Sequence, residues 1–249
     1  MQTQENVLIG GFITTGSDPK RVLLRAIGPS LKADGAPFPG RLEDPVLELF
    51  NSNGTSLIVN DDWKDSPDRA TIESSGLAPE DDRESVISRV INPGLYTAHV
   101  RGKNDTTGIG LVEIYDRSPG GDGELSNIST RGLVEAGDNV LIGGFIVGTR
   151  PTGTRVLVRA IGPSLKPGLS NALDDPTIEL FNQNGMSLGS NNNWKDSPDR
   201  TDIEATGLQP SNDAESAMLM DVSPALYTAI VSGVSDSTGV ALVEVYNVP

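Results

Sequence analysis

Between Leu95 and Arg101 the chain alternates. Tyr96, Ala98 and Val100 share one side, and Thr97, His99 and Arg101 the other. A period of two marks a strand with one buried face. Short runs rich in apolar and β-branched residues recur at 6–14, 21–31, 47–50, 56–59, 85–91 and 109–115, and each reads as a strand. Gly28-Pro29 closes the second run, because proline has no N–H to give to a ladder. Asn53-Gly54, set between apolar runs, predicts a hairpin. The paired glycines Gly10-Gly11, and Gly143-Gly144 later on, predict a bulge or a close backbone approach. Ser66-Pro67-Asp68-Arg69 reads as a helix start, with serine as cap, proline in the first helical position and aspartate at the positive end of the dipole. Gly76 stops that helix soon after.

The text from Asp44 to Asp116 returns, little changed, from Asp175 to Asn247, and Arg21–Leu31 returns as Arg155–Leu165. A displacement of roughly 130 residues is too long for a solenoid unit and right for a whole domain. Many short strands, regular turns and one short helix per copy predict an all-β protein of two tandem antiparallel β-sandwich domains. The expected domains are 1–117 and 125–249, with a linker at 118–124. Each fully buried Leu, Ile, Val or Phe contributes roughly 1.5–3 kcal/mol, and each copy has enough of them for its own core. One segment breaks the symmetry. Leu125, Ser126, Asn127, Ile128, Ser129, Thr130, Arg131 and Gly132 read as a strand that occurs once, with nothing like it ahead of Asn6 or after Pro249. One sandwich is then expected to show an unpaired edge, and such an edge invites another chain.

Charge and composition narrow the partners. A formal net charge of −15 leaves no basic stripe for phosphates, so nucleic acid and anionic membrane surfaces are disfavoured. An acidic balance suits a self-repelling surface or one that collects cations. With no cysteine, disulfides, thiolate metal sites and cysteine nucleophiles are excluded. No apolar run approaches the length of a membrane span, and the residues after Met1 lack the basic and apolar regions of a signal peptide.

The strongest candidate constellation is Asp61, Asp62, Asp65 and Asp68 around Trp63, with Glu84 on a nearby strand. Calcium takes six to eight oxygens, and a loop dense in Asp and Asn can supply them. The matching positions of the second copy are Asn192, Asn193, Asp196, Asp199 and Glu215, so weaker binding is expected there. The competing reading is a helix start and a solvated loop. Trp63 and Trp194 read either as a ligand platform for sugar stacking or, preferably, as plugs at one end of each core. Arg25 and Arg159 sit inside apolar runs and call for an acidic partner such as Glu48 or Glu113 for Arg25. Tyr96 and Tyr227 predict a structural hydrogen bond like that of a tyrosine corner. His99 is the sole histidine, and the second copy has Ile230 in its place, which argues against a general base. No nucleophile elbow, phosphate loop or zinc-protease motif is present.

The segments Leu47-x-Leu-Phe50, Asn53-Gly54, Asn60-Asp61-Asp62, Glu84-Ser85 and Pro93-Gly94-x-Tyr96 resemble the bacterial pre-peptidase C-terminal domain family and its relatives among collagen-binding domains. The resemblance covers about the last two-thirds of each copy. It implies a jelly-roll-like β-sandwich appended to secreted proteins, often holding calcium and rarely catalytic. The Arg25-Ala-Ile-Gly-Pro-Ser-Leu31 segment is not part of that pattern. The whole unit with this segment also looks like tandem modules of large exported bacterial proteins.

These readings converge on a non-catalytic extracellular or cell-surface protein. The first expectation is a subunit of a fibre or coat, assembling head to tail by donating the Leu125–Gly132 strand. The alternative is a calcium-stabilised adhesion module that tethers its owner to polysaccharide or protein.

Overall fold

The computed structural model describes residues 7–33, 35–118, 124–137, 139–148 and 154–248. Within the predicted linker, residues 119–123 fall outside that set. The chain forms two compact units, Met1–Ser126 and Asn127–Pro249. The division falls inside a strand.

In the first unit the strands are β1 (Leu8–Thr15), β2 (Lys20–Ile27), a two-residue pair β3 (Lys32–Ala33) and β4 (Ala36–Pro37), β5 (Pro45–Asn51), β6 (Ser56–Asn60), β7 (Ser85–Ile91), β8 (Gly94–Gly102) and β9 (Leu111–Asp116). One short helix, α1 (Arg69–Ser74), lies between β6 and β7. Strands β1-β8-β5-β6 form one antiparallel sheet and β7-β2-β9 a second. Leu8, Phe12, Leu47, Leu49, Ala98 and Val100 of the first sheet meet Val22, Leu24, Ala26, Ile87 and Ile91 of the second in one core. Because side chains alternate along a strand, Leu23 must leave by the opposite face of β2. It joins Trp63, Ile72 of α1 and Val86 in a second cluster. The β2 sheet is thus covered on both sides, which explains the unbroken apolar run Val22-Leu-Leu24.

Next comes β10 (Glu124–Val134), which crosses the division between the units. Its Leu125 packs on the first core. The second unit continues with β11 (Leu141–Ile146), β12 (Thr154–Ile161), β13 (Pro176–Asn182), β14 (Ser187–Asn191), α2 (Arg200–Ala205), β15 (Ser216–Val222), β16 (Leu226–Gly233) and β17 (Gly239–Val248). Its sheets are β11-β16-β13-β14 and β15-β12-β17-β10. Each unit is therefore an antiparallel β-sandwich, and the chain is all-β apart from the short helices.

Two local expectations need correction. The glycine pair makes no bulge, since β1 pairs with β8 without interruption from Leu8↔Val100 to Thr14↔Gly94. Gly10 instead admits Val112 from the facing sheet, where a Cβ would stand 3.1 Å from a Val112 methyl; at Gly143 the same contact with Val243 would be 2.8 Å. The helix starts later than expected. Asp68 is the N-cap, without a side-chain cap bond, because Ser66 is spent on the turn before it, where its hydroxyl accepts the Asp68 N–H.

Candidate functional site

Glu84, expected among calcium ligands, is fully buried and already engaged. Its carboxylate accepts the N–H of Gly28 at 3.0 Å, the N–H of Ser30 at 2.8 Å and the Ser30 hydroxyl. Glu215 likewise accepts from Gly162 N at 3.2 Å, Ser164 N at 2.8 Å and Ser164 Oγ at 2.9 Å. A buried carboxylate is tolerable when several donors surround it. Gly28 can be nothing larger, since a Cβ there would lie 2.1 Å from the Leu42 carbonyl oxygen. Gly-Pro-Ser and Glu-Ser are two halves of one clamp. Their joint return in both copies was the signal for it.

Of the remaining acidic candidates, Asp61 and Asp62 converge, and they do so with Asp44, not foreseen, with oxygens within 4.8 Å of one another. Asp65 ends the turn Trp63–Asp65 and Asp68 caps α1, so neither joins the group. The countercharge is Lys103, whose Nζ lies 2.6 Å from Asp61 and 3.7 Å from Asp44. Its hydrogen bond to Asp61 raises the lysine pKa. Burial first, then the Asp61 charge, raises that of Asp62. In the second unit Asn192 and Asn193 replace the aspartates, and Val234 stands where Lys103 does. Asp196 and Asp199 repeat the turn and cap positions. Asp61 and Lys103 are replaced together, while Asp175 keeps the place of Asp44. A calcium ion would have to displace the ammonium before it met the oxygens it needs.

The tryptophans offer no ligand platform and do not plug an end of the main core. Trp63 and Trp194 are each 5% exposed. Trp63 lies under α1, with Nε1 donating to the Asp81 carbonyl at 3.2 Å, and Trp194 repeats this with Asn212 at 3.1 Å. Arg25 finds Glu113, the partner expected, through Nε at 2.7 Å, and donates to the Leu77 carbonyl at 2.8 Å. Arg159 repeats the pairing with Glu244. Tyr115 and Tyr246 donate to those glutamates at 2.7 Å. Burial, then the hydrogen bond to Glu113, pushes Tyr115 up; burial, then Glu244, pushes Tyr246 up to about 12. Tyr96 and Tyr227 donate to carbonyls four residues upstream, Asn92 at 2.9 Å and Ser223 at 2.8 Å.

The arrangement that distinguishes the units is at a sheet edge. Asn127 to Val134, including Ile128, Ser129, Thr130 and Arg131, pairs antiparallel with β17, from Asn127↔Tyr246 to Val134↔Gly239. The segment expected to be donated is thus bound within its own chain. Its counterpart edge in the first unit, β9, ends the sheet β7-β2-β9 with no further strand among the described residues. Without that second partner β9 is shorter. Gly239–Ala241 are strand, whereas the matching Gly108–Gly110 contain only an isolated bridge at Ile109. Ile109 and Leu111 are 40% and 43% exposed, while Val240, the match of Ile109, is 1% exposed.

No family model and no curated protein matches the chain. Among solved structures, a chain in the structure of infectious bursal disease virus Gt strain is similar at 12% identity and a TM-score of 0.14, over 99% of this chain and 74% of that one. Likeness at that level carries no argument about fold or activity. No helix among the described residues is long and apolar enough to cross a membrane.

Proposed function

We propose that this chain is a non-catalytic structural protein, a tandem β-sandwich subunit of an extracellular fibre or surface coat whose copies associate head to tail by strand pairing. The edge of β9, which has no partner strand among the described residues, carries this reading. A row of unpaired backbone donors and acceptors beside exposed apolar residues is a template for another chain, and the second unit displays the same edge filled. Two further observations support a structural role. The buried acidic groups Glu84 and Glu215 are spent on backbone N–H groups, and Glu113 and Glu244 on arginine and tyrosine. His99 stands in β8 opposite Ile9 and Glu48 in the ladders, a strand-interior position. The adhesion reading is weaker, because burial of both indole rings removes its platform.

Electron microscopy and sedimentation of the purified chain over a wide concentration range test the proposal. Long oligomers that grow with concentration are expected. A monomer at every concentration would contradict it.

A further inference from the structure

We infer that the bare edge of β9 is a receptor for one extended strand of the β10 type, supplied by another polypeptide and bound in the register that β10 takes on β17. This rests on the reading that the chain works by touching other chains, and it names the place and the ligand chemistry.

The second unit provides the template. There Val240, Leu169 and Ala172 form a small buried cluster, closed by Leu165 and by Leu133 of β10. Leu133 stands opposite Val240 in the ladder. In the first unit the same sites carry Phe38 in place of Leu169, Ile109 in place of Val240 and Arg41, paired with Glu43, in place of Ala172. The cluster lacks its lid. Phe38 is 37% and Ile109 40% exposed, against 7% and 1% for their matches. The backbone beneath is the same in both units. Ile109 N donates to Gly40 O at 2.8 Å and Leu42 N to Ile109 O at 2.7 Å; Val240 donates to Asn171 O and accepts from Leu173 N, both at 2.8 Å. The first unit therefore holds the same backbone, two of the three apolar positions and the strand edge beside them. One strand would cover both.

Carried across, the register of β10 on β17 specifies the incoming strand. It runs antiparallel to β9. An apolar residue in the place of Leu133 stands opposite Ile109 and covers Phe38. A glycine in the place of Gly132 faces Gly110, and the places of Thr130, Ile128 and Asn127 face Val112, Ile114 and Tyr115. Main-chain bonds would supply affinity, and the single apolar anchor would fix the register, because a slip of one residue turns that anchor to the wrong face. β10 itself is paired to β17, so no described segment of this pattern is left to act as donor, and the strand comes from outside the described residues.

The test uses the full chain and a synthetic peptide of residues 124–134. The expected result is one peptide bound per chain, with slowed amide hydrogen exchange across Leu111–Asp116. A peptide carrying Leu133→Asp, and separately the chain variant Ile109→Lys, are expected to bind roughly tenfold more weakly or worse, the loss of one buried apolar contact. Ile109 is exposed, so its variant should melt as the parent does. Binding no tighter than that of a scrambled peptide, or binding that leaves β9 exchange unchanged, overturns the inference. Sedimentation of the chain alone separates this outcome from the fate of the fibre reading. A chain that binds peptide on β9 yet stays monomeric upholds the receptor and removes self-assembly. Oligomers that persist in Ile109→Lys place self-assembly elsewhere, and the receptor then stands or falls with peptide binding on β9.

Discussion

The two units are built to one plan and differ in what was substituted together. Both hold the buried glutamate clamp, the tryptophan under the short helix, and the arginine–glutamate–tyrosine cluster. Each unit also has ion pairs of its own, as Arg155 with Asp202 in the second. Lys20, 4% exposed, pairs with Asp116 at 2.6 Å, and Lys103 pairs with Asp61. In the second unit these four positions are Thr154, Asn247, Val234 and Asn192. In both cases the two partners are replaced together. The other difference is β10. With it, β17 is a central strand and the cluster around Val240 is closed. Without it, β9 is an edge.

Perturbing this comparison begins with what is shared. Glu84→Ala strands the Gly28 and Ser30 N–H groups in the interior, at a cost of roughly 3–5 kcal/mol. Glu215→Ala should cost its own unit a similar amount, read as a large drop in melting temperature of one transition. Unequal losses would show that the clamps are not equivalent. Next is what differs. Lys20→Thr alone leaves Asp116 without its cation and is expected to cost roughly 1–2 kcal/mol, the Asp116 side chain being partly hydrated. Adding Asp116→Asn reproduces the second unit's solution and should recover most of the loss in chemical denaturation. No recovery would break the paired-substitution argument.

The smallest effect is a matter of pH. Tyr246 has its folded pKa raised from 10.0 to about 12, so the folded state holds its proton more tightly than the unfolded state does. The resulting stability is complete below pH 10 and fades as pH climbs through about 12. Absorbance titration of tyrosinate should show this late ionisation. Glu244→Gln should bring it earlier in part, since burial, the larger cause, remains.

Much of this was legible in the sequence because it is local. The alternation of β8, the Asn53-Gly54 hairpin, the tyrosine bond and an acidic partner for Arg25, with Glu48 and Glu113 both open, follow from period-two patterning, turn chemistry or the need to satisfy a buried group. Three features were not legible, each because it depends on distant residues. Leu23 faces outward, but a strand covered on both faces carries no alternation to reveal it. Asp44, Asp61 and Lys103 meet only after the strands are in place. Glu84 resembled a ligand because an acidic residue beside an acidic loop looks like one, and its donors lie far upstream at Gly28 and Ser30. The odd strand was visible as odd. Its owner was not, because its first residues belong to one unit and the rest to the other.

The central claim is that, among the described residues, β9 lacks the neighbour that β10 gives to β17. Residue-resolved amide hydrogen exchange on dilute, monomeric chain tests it most directly. The outward-facing amides of Leu111–Tyr115 should exchange much faster than those of the matching residues Leu242–Tyr246, which β10 covers. Equal protection of the two strands would mean that β9 is already filled, and would contradict the account.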